Sequence, residues 1–289
     1  MIHEIHLFVT ADLVDNVCDI LNGHGSMGMV VDIVNGRAKP LIKGYFEQPE
    51  KVQIAVELQL MLVAMGRKSA ELSLDWFEVE EGDWESAWKV HAKPVPTGQR
   101  LLILPSWLSP DADNDRQILR MDPEMAFGSG SHETTRGCLE SLERVADLVG
   151  LGSLLDMGTG SGILAIGAVL LGADRVMAID NDPIAVETAE KNAQINRVEK
   201  QIAFLQAAEV PDGPFSTVVV NILAEVLLTM RDPLINSLAL DGYLILSGIL
   251  LEQSKEVVDS YLERNLFHVD SLVMGEWVTL IFNKKGTGL

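Results

Sequence analysis

Asp156-Met157-Gly158-Thr159-Gly160-Ser161-Gly162 sets an acid ahead of three glycines at alternate positions. Glycine reaches the backbone conformations of a sharp turn and lets a ligand lie against the main chain. The apolar pair Leu154-Leu155 leads in and Ile163-Leu164-Ala165 leads out, so the stretch reads as strand, tight turn and helix. A helix in that position aims free N–H groups and the positive end of its dipole at the occupant of the turn. A second apolar run, Val176-Met177-Ala178-Ile179, ends at Asp180, 18 residues after Gly162. An acid at the tip of the second strand of such a unit bonds ribose hydroxyls. The third candidate is Asn221, which closes the strand-like run Phe215-Ser216-Thr217-Val218-Val219-Val220. Strand tips are where open α/β sheets bind ligands, and Asn offers both a carbonyl acceptor and amide donors. Its other available role is to cap the next helix.

The glycine spacing separates cofactor classes. A dinucleotide fingerprint is G-x-G-x-x-G, whereas this segment is D-x-G-x-G-x-G. The crowded third glycine and the preceding acid favour S-adenosylmethionine over a nicotinamide nucleotide. By itself the glycine turn would equally suit a plain tight turn; strand context and the second-strand acid raise it to a cofactor site. Upstream lies Met121-Asp122-Pro123-Glu124-Met125-Ala126-Phe127-Gly128-Ser129-Gly130-Ser131-His132-Glu133-Thr134-Thr135. Pro123 stops regular structure and the glycines make a pliable loop, followed by an amphipathic helix from His132 to Val149. The hydroxyls of its first turn either cap the helix or offer donors to a cofactor carboxylate.

From Leu154 onward, the alternation of strand and helix predicts a doubly wound, mostly parallel sheet. A helix over 183–196 and a short strand over 202–205 precede the strand ending at Asn221. Residues 222–240 read as largely helical, 243–249 as a strand and 252–264 as a helix. Two final strands, 266–273 and 276–283, read as an antiparallel pair. Ahead of the sheet, residues 2–79 show the order β-α-β-β-α-β of a split ferredoxin-like unit, with the helix 49–65 carrying an unusually wide apolar arc. Between them, Asp83 to Lys89 reads as a short helix with Trp84 and Trp88 on one face. Pro94, Pro96 and Gly98 mark a joint. The expected organisation is a small α+β domain over 1–80, a linker over 81–98 and an α/β domain over 99–289.

Composition bounds the function. The chain has 289 residues, 47% of them hydrophobic, ample for a large core beside a small one. No apolar run reaches membrane-spanning length, and the start Met1-Ile2-His3-Glu4 lacks a basic signal-peptide region, so a cytoplasmic protein is expected. The two cysteines, Cys18 and Cys138, sit in helical patterns, and the six histidines lack ligand spacing; no metal site is expected. A formal charge of −20 opposes direct nucleic-acid binding and suits a basic protein substrate.

Together, Asp122-Pro123-x-x-Ala126-Phe127-Gly128-x-Gly130-x-His132-x-Thr134-Thr135, the turn at 156–164, Asn221-Ile222-Leu223-Ala224, Ser247-Gly248-Ile249-Leu250 and Gly275-Glu276-Trp277-Val278 resemble the bacterial methyltransferases of large-subunit ribosomal protein eleven. The resemblance covers about 83–284, and the N-terminal unit in arrangement only. It implies a Rossmann-like class I methyltransferase sheet with a ferredoxin-like N-terminal domain that holds the ribosomal protein. It also implies transfer from S-adenosylmethionine to lysine side chains and the N-terminus of that protein; a monomer is expected. By the same resemblance Thr135, Gly158, Asp180 and Asn221 contact the cofactor or the reacting centre, Asp156, Gly160 and Gly162 complete the glycine turn, and Phe127 and Gly128 form a loop over the methionine end. Asn221 is the candidate catalytic residue, orienting the amine. Ser129 and Ser131 stand where the family often has Thr. The alternatives are a different protein-lysine target or a small-molecule acceptor.

Overall fold

The structure is a computed structural model that describes residues 2–10, 13–26, 28–32, 40–68, 72–79, 93–111, 113–121, 132–264 and 266–285. It divides into two compact units, with the boundary between Lys93 and Pro94. The expected helix around Trp84 and Trp88 lies outside the described residues, as do Phe127, Gly128 and the rest of 122–131.

The N-terminal unit runs β1 (Ile2–Phe8), α1 (Val14–Gly23), β2 (Gly28–Asp32), β3 (Leu41–Phe46), α2 (Lys51–Ala64) and β4 (Ser73–Val79). Its sheet has the order β2-β3-β1-β4, and every pairing is antiparallel. That is the β-α-β-β-α-β arrangement of a ferredoxin-like unit. Alternate residues of β1, namely Ile5 and Leu7, meet Val17 and Leu21 of α1 and Ile54, Leu58 and Leu62 of α2 in one core. The wide apolar arc of α2 has a structural counterpart: Val52, Val56, Leu60 and Val63 remain exposed on its outer side.

The C-terminal unit opens with a small sheet of β5 (Val95–Thr97), β6 (Leu101–Leu104) and β7 (Gln117–Arg120). Residues 94–98 therefore include a strand where the sequence suggested only a joint. Pro96 is tolerated because β5 is an edge strand, where a missing N–H costs no ladder bond. There follow α3 (Glu133–Val149), β8 (Ser153–Met157), α4 (Ile163–Leu170), β9 (Arg175–Asp180), α5 (Pro183–Asn196), β10 (Ile202–Gln206), β11 (Phe215–Asn221), α6 (Ala224–Thr229), α7 (Arg231–Ser237), β12 (Leu238–Leu250), α8 (Ser254–Leu262), β13 (Leu266–Met274) and β14 (Trp277–Lys284).

The large sheet has the order β10-β9-β8-β11-β12-β14-β13. β10, β9, β8, β11 and β12 run parallel to one another, and β14 is antiparallel to β12 and β13. One face packs on α3 and α4 through Leu139, Leu142, Leu164 and Ile166, the other on α6, α7 and α8 through Leu227, Leu234, Val257 and Tyr261. Helices on both faces explain why β8 and β11 read as continuous apolar runs. The strand order reverses between β8 and β11, which is the topological switch point where such sheets bind ligands. Residues 222–240 depart from the expected single helical stretch. α6 and α7 are short, and β12 starts at Leu238, which pairs with Phe215. Asp241-Gly242 looks like a turn in sequence, yet the chain takes it as an irregularity inside the strand, with Asp241 at φ 60°.

Candidate functional site

β8 is buried from Leu154 to Met157 and delivers Asp156 to the sheet's carboxyl edge with 0% exposure. The next residues turn sharply, with Gly158, Gly160 and Gly162 at φ 77°, 53° and 80°. At Gly162 no other residue fits. Its φ is left-handed, and a Cβ there would lie 2.9 Å from Ala189 Cβ and 3.0 Å from Ala189 Cα, so the glycine sets how closely α4 and α5 approach. Backbone amides of Gly158 and Thr159 donate to Ile179 O at 2.8 and 2.9 Å, tying the turn to β9. Asn192 of α5 donates through Nδ2 to Ser161 O at 2.8 Å.

Asp156 holds the turn from inside. Its Oδ2 accepts from Thr159 Oγ1 at 2.6 Å and from Ala165 N at 3.1 Å. Oδ1 is buried without a hydrogen-bond partner among the described residues. Burial is the largest influence on this carboxyl and pushes it up from 3.8 to about 7, against the two hydrogen bonds, with the Asp180 charge adding to the rise. Asp180, half-buried at the tip of β9, accepts from Gly160 N through Oδ2 at 2.9 Å and from Asp182 N through Oδ1 at 3.0 Å. Each oxygen keeps a further lone pair for a hydroxyl donor.

Asn221 stands half-buried at the tip of β11, on the other side of β8 from Asp180. It does not cap the following helix: α6 starts from Leu223 with no side-chain cap. Instead its Nδ2 donates to Thr134 Oγ1 at 3.3 Å. Thr134 and Thr135 lie in the first turn of α3, both buried. The helix is capped by the His132 ring, whose Nδ1 accepts from Thr134 N at 3.3 Å, so the threonine hydroxyls are not the cap. Thr135 Oγ1 has no partner among the described residues. Ser247 of β12 reaches Thr134 O at 3.4 Å and lies 2.8 Å from Thr279 Oγ1 of β14. A Cβ on Gly137 would fall 2.4 Å from Thr279 Oγ1, so α3 rests almost directly on β14.

The three parallel strands β9, β8 and β11 thus bring Asp180, Asp156 with the glycine turn, and Asn221 to one edge, and α3 adds Thr135 there. Phe127 and Gly128 fall outside the described residues. Sequence reasoning missed Asn192, His132, Thr134 and Ser247 as supports. The last three lie within stretches that drew notice for other reasons, whereas Asn192 is one polar residue in an ordinary helix. A turn with free helix N–H groups, flanked by one carboxylate and one amide, is suited to hold a ribose-bearing cofactor beside an acceptor of hydrogen bonds.

The chain is similar to known proteins of one family. The family model described as Ribosomal protein L11 methyltransferase (PrmA) matches residues 2–285. A ribosomal protein L11 methyltransferase from Pelobacter propionicus is 37% identical over 299 residues, covering 97% of each chain. One from Geobacter metallireducens is 42% identical over 204 residues, 71% of this chain and 67% of that protein. Among solved structures, the ribosomal protein L11 methylase from Lactobacillus delbrueckii subsp. bulgaricus superposes with a TM-score of 0.63 at 33% identity, covering 68% of this chain and 100% of that one.

Proposed function

The chain belongs to the ribosomal protein L11 methyltransferase family, and from that premise we propose that it methylates amino groups of ribosomal protein L11, lysine side chains and the N-terminus, with Asn221 orienting the incoming amine. It is an S-adenosylmethionine-dependent methyltransferase of a ribosomal protein. The single observation that carries the residue assignment is the placement of Asn221 on the strand beside β8, across from the Asp180 tip.

The residues fit the cofactor. Asp156 Oδ1 and Thr135 Oγ1 are buried polar atoms without partners among the described residues. Such atoms are costly unless a ligand or water meets them. The turn at Gly158 to Gly162 would lie against the cofactor, Asp180 would take its ribose hydroxyls, and Thr135 with Phe127 and Gly128 would serve its methionine end. When bound, S-adenosylmethionine supplies a methyl carbon carried on a sulfonium, whose departure leaves a neutral thioether.

The chain's own task is the nucleophile. A lysine of ordinary pKa near 10.4 must be neutral at pH 7, at a cost of about 4–5 kcal/mol. A cleft of low polarity favours the neutral amine, and the Asn221 carbonyl oxygen accepts one of its N–H bonds, turning the lone pair toward the methyl group. No dedicated base is needed, because the proton leaves to water before transfer. The N-terminal unit holds the protein substrate. A formal charge of −20 favours a basic acceptor over a phosphate backbone, and the enzyme works as a monomer in the cytoplasm, where ribosomal proteins are made. No helix among the described residues is long and apolar enough to cross a membrane.

Incubation with S-adenosylmethionine and free ribosomal protein L11, read by intact mass, should add methylene steps to the acceptor. Asn221→Ala should slow those steps while cofactor affinity stays near that of the parent. Full turnover in Asn221→Ala would remove Asn221 from the reaction. No mass gain with the cofactor bound would point to another acceptor.

A further inference from the structure

Asn221 has two ends of opposite hydrogen-bonding character, and only one of them serves an amine donor. Its usefulness depends on what fixes the amide's orientation. Nδ2 faces Thr134 Oγ1 at 3.3 Å, and that hydroxyl lies 2.8 Å from His132 Nδ1. The polarity of this chain of contacts follows from its far end. The backbone N–H of Thr134 donates to His132 Nδ1 at 3.3 Å, and a backbone N–H can only donate, so Nδ1 is the acceptor and presents its lone pair on that side. The Thr134 hydroxyl, meeting the same lone pair, donates its hydrogen to it. Its oxygen then presents only lone pairs to Asn221, and the amide must turn its NH2 group that way. Were the amide reversed, two oxygens would face each other with no hydrogen between them.

We propose that His132, acting through Thr134, is a positioning residue that locks the Asn221 amide with its NH2 group on Thr134 and its carbonyl oxygen free for the substrate amine. Each link is held in place by a separate contact. The His132 ring meets the edge of Trp277 with centroids 5.3 Å apart and planes at 63°. Thr134 is buried, and its carbonyl oxygen accepts from Ser247 Oγ of β12 at 3.4 Å. Asn221 sits at the tip of a strand hydrogen-bonded on both sides, by β8 and β12. The polar side chain that would capture an amine is therefore held by the helix cap of α3 and does not turn freely at the cleft. This inference rests on the reading of Asn221 as the amine acceptor.

Initial rates with S-adenosylmethionine and ribosomal protein L11 test it, alongside thermal melts and cofactor titration of each variant. Thr134→Val removes the hydroxyl at nearly constant shape, and His132→Ala removes the acceptor that fixes its direction. Both should lower kcat roughly five- to tenfold, the range of one lost hydrogen bond, with KM for either substrate changed by less than about twofold. Thr134→Ser retains the hydroxyl and His132→Asn retains an N-cap oxygen; both should recover most of the rate. A full kcat in Thr134→Val while Asn221→Ala is impaired overturns the relay and leaves the role of Asn221 standing. An unimpaired Asn221→Ala overturns the role of Asn221 itself. A change confined to melting temperature or KM reduces His132 and Thr134 to a helix cap and overturns the proposal. If His132→Ala fails to fold, the kcat of Thr134→Val and its recovery in Thr134→Ser decide the matter.

Discussion

Asp156 is a buried carboxyl group, and its protonation is coupled to folding. Its value of about 7 in the folded chain lies above its ordinary 3.8 because burial disfavours the charge. Between about pH 4 and 7 the native state therefore holds a proton that the unfolded chain has released. The group thus supports stability fully below about pH 4, and that support is lost as pH rises through about 7. Asp156→Asn keeps an oxygen for Thr159 and Ala165 without the ionisation. Its stability relative to the parent should rise between pH 5 and pH 8, measured as urea midpoints; a pH-independent difference would show that the carboxyl is ionised throughout. Gly162 gives a second residue-scale test. Gly162→Ala forces a side chain into a left-handed φ and against Ala189, at about 1–2 kcal/mol for the backbone and about 1–3 for the overpacking. Its melting point should drop, and S-adenosylmethionine binding, followed by calorimetry, should weaken with it.

Among the elements, α3 does more than cover the sheet. Its first turn carries Thr134 and Thr135 into the site, and its middle holds Glu143, 6% exposed, which accepts from Gln99 N at 2.8 Å and Arg100 N at 3.1 Å. That carboxylate closes the turn between β5 and β6. Glu143→Ala would strand two backbone donors, a loss of about 1–3 kcal/mol. The denaturation midpoint should fall with an unchanged slope, and methyl transfer per folded molecule should be retained. The elements also show where periodicity misleads. β5 and β7 are three and four residues long, too short for an alternating pattern to register, and β12 absorbs the turn-like Asp241-Gly242 within a strand. In each case pairing with a neighbouring strand outweighs local preference.

At the scale of the molecule, each unit has its own core, that of the N-terminal unit around Ile5, Leu58 and Phe46, that of the C-terminal unit on both faces of the large sheet. A fragment spanning 94–289 should therefore melt cooperatively and bind S-adenosylmethionine with an affinity close to that of the whole chain, while losing transfer to ribosomal protein L11. Retained transfer would place substrate recognition in the C-terminal unit.

The order of the sheet-forming runs and the chemistry of the turn were legible in the sequence, because both are written locally. Alternate glycines behind Asp156 permit one kind of turn, and apolar runs ending at Asp180 and Asn221 put those side chains at strand tips whatever the partners. The resemblance carried by 122–135 and 221–224 supplied the acceptor. What the sequence could not contain was pairing across distance. That β11 pairs with β8 and not with β10 is a property of the assembled sheet, and it puts Asn221 on the strand next to the glycine turn. The contact between Asn221 and Thr134 joins residues 87 positions apart. Burial of Asp156 requires both faces of the sheet to be covered. Such properties arise only when separate elements share a core, since distance and desolvation belong to the folded chain and not to any stretch of it.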